Sequence, residues 1–230
     1  MGANPFMPAT LSIAKPTCVP ARTLAGCRWR ASTFIRSKLV ERQLTLARIN
    51  SMAFDFQNFA QQLTQATQAA FTELLARYPE EAFYSFALYS DEGAMTVCPA
   101  ANTLGHLAAQ SPDDLPYAKF EPAEWQYEMV GADAQFDALS RQLRTRLAEG
   151  FAEPDGFERF RQQLYATCLE VLDALRQQRF FDKAAGRPVF LLVTISDSDT
   201  PPEELAQLAS RLNNNAYRDE YLAWLRTWDA

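Results

Sequence analysis

The sequence predicts a single α+β domain, a small and mainly antiparallel sheet packed with five or six helices. Three observations carry that reading. Apolar residues recur at three- and four-residue steps in several long segments, which is helical periodicity. Two short aromatic and apolar runs, AFYSFALYS and AMTVCPA, flank the turn residues Asp91-Glu92-Gly93 and read as a β-hairpin. Strands and helices do not alternate strictly, which separates this chain from a parallel α/β sheet.

The first helix carries Phe56, Phe59, Leu63, Ala66, Ala70 and Leu74 on one face. It ends near Tyr78, because Pro79 disfavours helical backbone at the residue before it. The hairpin follows, with a loop of three or four residues expected at Asp91-Glu92-Gly93. Asn102 to Gln110 reads as a short helix, and the Pro-rich SPDDLPYAKFEPAEWQYEM as irregular, with a short helix or strand near Trp125. Phe136, Leu139, Leu143 and Leu147 mark another helix, closed by Gly150. A longer one carries Phe157, Phe160, Leu164, Cys168, Val171 and Leu175, ending before Gly186 and Pro188. VFLLVTI is apolar on both faces and is expected to be a central, covered strand. Leu205, Leu208 and Leu212 serve the next helix, which Asn213-Asn214-Asn215 break, and Tyr217, Tyr221, Leu225 and Trp228 serve the last. Trp224 and Trp228 read as finishing the core, or as part of an oligomeric contact.

Charge divides the chain unevenly. Residues 1–51 hold eight Lys/Arg and one acid, Glu41, leaving 14 basic against 27 acidic residues from Met52 onward, a net of −13. The first 51 residues are expected to be a disordered basic extension, or to lie upstream of a true start at Met52, and residues 52–230 to be the α+β domain. An Arg- and Ser-rich, acid-poor stretch also has the composition of a transit peptide. A body this acidic should repel nucleic acid and anionic membrane and attract a basic protein. Cys18, Cys27, Cys98 and Cys168 form no CxxC pair and are too scattered for a disulfide framework, which favours a reducing cytoplasm.

The acidic stretch after VFLLVTI admits two readings. Thr200-Pro201-Pro202-Glu203 fits a capping box, with Thr200 accepting from the Glu203 amide and Pro201 at the first helical position. Asp197 and Asp199 could instead hold Mg²⁺ through hard oxygens, but no phosphate-binding GxxxxGK[ST] or GxGxxG accompanies them. His106 is the only histidine, and no GxSxG elbow supplies a serine for it. A pairing with Cys98 is conceivable, whereas a zinc site lacks ligands. The segment EPAEWQYE concentrates Glu121, Glu124, Trp125, Tyr127 and Glu128. Carboxylates alternating with aromatics could line a groove for a ligand cation or a basic peptide. The plainer reading makes Trp125 and Tyr127 anchors of a long connection, with the acids solvated.

FYSFALYSDEGAMTVCPAANT, EPAEWQYE and VFLLVTISDSD, in that order, resemble a bacterial family of domains of unknown function, number 4303, over about Met52 to Trp228. The resemblance implies no catalytic residues and no cofactor. Small acidic α+β cytoplasmic proteins resemble, by analogy, the immunity partners of bacterial toxins. The expectation is therefore a non-catalytic cytoplasmic binding protein for a basic partner, with Glu124, Trp125, Tyr127, Glu128 and Asp197 as candidate contacts. The alternative is a Mg-dependent hydrolase or phosphoryl-handling enzyme using Asp197 and Asp199, with Glu124 as a further ligand.

Overall fold

Residues 54–196 and 199–228 are described by the computed structural model; the basic extension and Asp197 lie outside them. Phe54–Ala230 forms one structural unit. The Asp55 carboxylate accepts the Asn58 amide at 2.9 Å and opens α1, Phe56–Arg77. Then come β1 (Phe83–Asp91), β2 (Val97–Thr103), α2 (Leu104–Ala108) and α3 (Leu115–Phe120). A 3-10 turn at Pro122–Glu124 leads to the two-residue strand β3 (Tyr127–Glu128). The chain continues through α4 (Asp133–Ala148), α5 (Gly156–Gln177), α6 (Phe180–Ala185) and β4 (Phe190–Ser196). It closes with α7 (Pro202–Leu212) and α8 (Ala216–Leu225). The domain is α+β as expected, with eight helices among the described residues where five or six were predicted. The difference lies in α3 and in α6, which a left-handed Arg179 (φ 55°) separates from α5.

The sheet is mixed. Its order is β3-β2-β1-β4, with β1/β2 and β2/β3 antiparallel and β1/β4 parallel. β4 was expected in the centre and lies at the edge. Apolar residues on both faces of a strand report that both faces are covered, and say nothing about the number of strand neighbours. The hairpin loop spans five residues, Glu92 to Thr96. The Asp91 carboxylate draws in the amides of Met95 (3.2 Å) and Thr96 (2.8 Å), which delays the ladder to Val97. An irregularity between Phe83 and Ser85 lets Phe83 and Phe86 both enter the same core, although they are three residues apart.

Each sheet face carries its own core. Phe83, Phe86, Leu88, Leu191 and Val193 meet α1, α4, α5 and α6 through Phe59, Phe71, Leu143, Leu172 and Phe181. Ala87, Ala100, Phe190 and Leu192 face the other way, against Phe120, Trp125, Tyr221 and Leu225. Helix α7 belongs to both layers, since Leu212 enters the first core and Ala209 the second. It thus covers the β4 edge.

Asn213 completes the cover. Its Oδ1 accepts the Leu191 amide at 2.8 Å, while its Nδ2 donates to the Leu191 carbonyl at 2.7 Å and the Ala209 carbonyl at 2.9 Å. One buried side chain thereby does what another strand would do for Leu191. Asn215 adds a bond to the Val189 carbonyl at 3.1 Å and caps α8 through the Arg218 amide.

The start of α7 departs from the expected capping box. The helix begins at Pro202, with Pro201 (φ −60°, ψ 144°) in the cap position and no side-chain cap bond. A residue before proline avoids the helical region, so Pro202 excludes Pro201 from the first turn. Farther along, Asp173 of α5 binds Arg176 of its own helix and Arg211 of α7. Burial alone would raise the Asp173 carboxyl, but bonds from Arg176, Gln177 and Arg211 outweigh it and hold the group below its ordinary value.

Two outcomes follow. Asn213→Ala strands the buried Leu191 amide and carbonyl and lowers the unfolding free energy by about 2–4 kcal/mol in urea titration; a loss under about 0.5 kcal/mol contradicts the edge-sealing role. Asp173→Asn costs about 1 kcal/mol at neutral pH, discounted for the half-exposed Arg211. An acid with a lowered folded pKa stabilises above its unfolded value, about 3.9 for Asp. The gap between wild type and Asp173→Asn therefore narrows as the pH falls below about 4 through the lower folded value.

Candidate functional site

Pro122 fixes the site's geometry. It opens the 3-10 turn and holds Glu121, the residue before it, extended at φ −99° and ψ 109°. Helix α3 therefore stops at Phe120, and Glu121 lines a cavity of about 330 Å³. Phe120, Leu192, Tyr221, Trp224 and Trp228 form its walls with Glu121. Trp224 is the hub of an aromatic cluster. It stacks on Phe120 (centroids 5.5 Å, 30°) and meets Trp228 edge-on (4.9 Å, 85°). Tyr221 and Tyr117 approach it at 5.8 Å each. Trp228 remains 46% exposed and Tyr117 58%, so one side of the cluster is open to solvent.

Glu121 is the acid of this pocket. Burial pushes its carboxyl above the ordinary 4.5, partly offset by the Ala123 amide and reinforced by the neighbouring Glu124. Among the ion pairs of the described residues, none involves Glu121. The nearest lysine in sequence, Lys119, is engaged elsewhere: it pairs with Glu220 and lies over the Phe120 and Tyr217 rings at 5.6 and 5.5 Å. A carboxylate without a cation, beside indole and phenol faces, is an arrangement that takes a cation from outside.

The residues expected to form a groove are dispersed. Trp125 is buried in the core shared with α8, its Nε1 without a hydrogen-bond partner. Tyr127 enters the opposite core, against Phe83 at 5.3 Å and Tyr78 at 4.6 Å. Glu124 is exposed in the 3-10 turn, and exposed Glu128 accepts from the Tyr89 hydroxyl at 2.9 Å. Asp199 lines a separate cavity with Glu92, Glu158, Arg161 and Glu204, while Asp197 lies outside the described residues. No group of three His, Cys, Asp or Glu side chains placed to hold a metal occurs among the described residues.

His106 and Cys98 have separate surroundings. The Asn102 Oδ1 already accepts the Thr103 amide, so His106 Nδ1, at 2.8 Å, serves as donor to it. Burial pushes the Cys98 thiol up to about 11, with the charges of Asp91, Glu128 and Asp137 adding to the effect and Thr96 opposing it. A thiol so shifted stays protonated near neutral pH and is a poor nucleophile.

Sequence reasoning noted Glu121 in EPAEWQYE but left it out of the candidate contacts Glu124, Trp125, Tyr127, Glu128 and Asp197, and set the C-terminal tryptophans apart from that segment. The signal that joins them is the run Tyr217, Tyr221, Trp224 and Trp228, an aromatic stripe at three- and four-residue steps along α8 and the turn after it.

A family model described as Domain of unknown function (DUF4303) matches residues 63–214. The chain belongs to the DUF4303 family. No curated protein and no solved structure matches the chain. The matched span of the DUF4303 domain includes Phe120 and Glu121 and ends before α8, which supplies Tyr221 and Trp224.

Glu121→Gln tests the electrostatics of the DUF4303 domain. An acid with a raised folded pKa holds its proton more tightly when folded, so its ionised form opposes folding once the pH exceeds that value. Glu121→Gln is expected to raise the melting temperature at about pH 8 and to leave it unchanged at about pH 4. A fall at pH 8 contradicts the description of Glu121 as a charge without a cation.

Proposed function

We propose that this DUF4303 domain is a non-catalytic cytoplasmic binding protein that captures a basic protein partner, as an immunity-like protein would. One observation carries the reading: Glu121 is partly buried, lacks an ion-pair partner among the described residues, and stands beside Trp224 and Trp228. The net charge of −13 on residues 52–230 supports it, because a long-range acidic field speeds encounter with a basic surface. The buried free thiols of Cys98 and Cys168 suit a reducing compartment. No helix among the described residues is long and apolar enough to cross a membrane.

The division of labour follows from these two features. Exposed acids raise the association rate and are screened by salt, whereas contacts inside the pocket set the dissociation rate. The immobilised full chain is expected to recover a basic protein from an extract of its source cell at low salt. Glu121→Gln and Trp228→Ser should each weaken that capture at least about tenfold, the loss of about 1.4 kcal/mol of contact energy. Equal recovery by wild type and both variants, or recovery of acidic proteins only, contradicts the proposal.

A further inference from the structure

Resting on the cation-capturing reading of this same pocket, we infer that its occupant is the guanidinium head of an arginine side chain presented by the partner. Four features of the molecule favour guanidinium over ammonium. The volume, 330 Å³, lies near the lower end for ligand pockets and suits one long side chain better than a large metabolite. Aromatic rings form much of the wall: Trp224 and Trp228 line the cavity together with Glu121, and Trp228, 46% exposed, has ring surface open to solvent. A planar delocalised cation stacks on such a face, whereas an ammonium has no plane to match. Glu121 offers a carboxylate, the natural partner of a two-pronged guanidinium donor. Leu192, Ile195 and Leu205 share the remaining lining with Thr194, Ser196 and Thr200, and a guanidinium, more weakly hydrated than an ammonium, loses less on entering so mixed a pocket.

The internal ammonium of Lys119 points the same way. It lies over the Phe120 and Tyr217 rings and is neutralised by Glu220, so it does not serve as the counter-ion of Glu121.

The test uses the full chain and three capped tripeptides, Gly-Arg-Gly, Gly-Lys-Gly and Gly-citrulline-Gly. Each is titrated while the indole N–H signals of Trp224 and Trp228 are followed by NMR. Citrulline keeps the plane of arginine and removes its charge. The arginine peptide is expected to shift both indole signals and to bind at least about fivefold more tightly than the lysine peptide, about 1 kcal/mol. Citrulline should give no saturable shift. Glu121→Gln should abolish the arginine response while its Trp125 indole signal, in the core, stays in place and reports an intact fold. Equal affinity for lysine and arginine overturns the guanidinium assignment. So do shifts that citrulline reproduces, and so do shifts that grow with protein concentration alone, which would give the aromatic wall to a second copy of the chain. The two proposals fail separately. If no peptide moves the indoles but the chain still captures a basic protein in a Glu121-dependent manner, the arginine assignment falls and the binding reading stands. If capture is lost as well, both fall.

Discussion

The arrangement of the second sheet face depends on one side chain sealing one strand edge. Without Asn213 the outward amide and carbonyl of Leu191 would face the apolar underside of α7, where water cannot replace the lost bonds. With Asn213 in place, the chain turns at the end of α7, and Asn215 starts α8, which packs on Phe190 and Leu192. That turn carries Tyr221 and Trp224 back over the sheet to the 3-10 turn that ends at Glu124. The pocket is therefore a tertiary product of the β4 edge, built from segments about a hundred positions apart in sequence.

The pocket also runs against stability, which is why it stands out. Other buried side chains with a charge or an amide are met: Asp173 by two arginines, Asn102 by the Ala118 carbonyl and the amides it accepts, Asn213 by the β4 edge. Glu121 has one backbone amide and a neighbouring like charge. A charge kept in an apolar setting without a counter-ion is unfavourable to the free protein and favourable to a cationic complex. The aromatic neighbours strengthen that contrast, because their faces attract cations and do nothing for a carboxylate.

Much of the fold was legible in the sequence. The apolar steps from Phe56 to Leu74 gave α1 nearly to its last residue, since periodicity and Pro79 act locally. The hairpin was legible for the same reason. The position of β4 was not, because its cover comes from Asn213 and α7, and a side chain standing in for a strand leaves no pattern in β4 itself. The start of α7 was readable in principle: Pro202 constrains Pro201, and that constraint overrides the Thr200-x-x-Glu203 spacing. The candidate pocket was less legible, since none of the expected contacts Glu124, Trp125, Tyr127 and Glu128 lines it. EPAEWQYE does reach the pocket, but through Glu121 and Ala123: Trp125, closing the 3-10 turn, enters one core and Tyr127, in β3, enters the other. The aromatic partners of Glu121 arrive from α8, a pairing no local pattern encodes.

The most direct measurement of the central claim is a ¹³C NMR titration of the Glu121 side-chain carboxyl, with and without a saturating arginine peptide. In the free protein the carboxyl should titrate above its ordinary 4.5, because burial disfavours the ionised form. With the peptide bound it should titrate lower, because a nearby cation stabilises the carboxylate. An ordinary value in the free protein, unmoved by the peptide, would contradict the account.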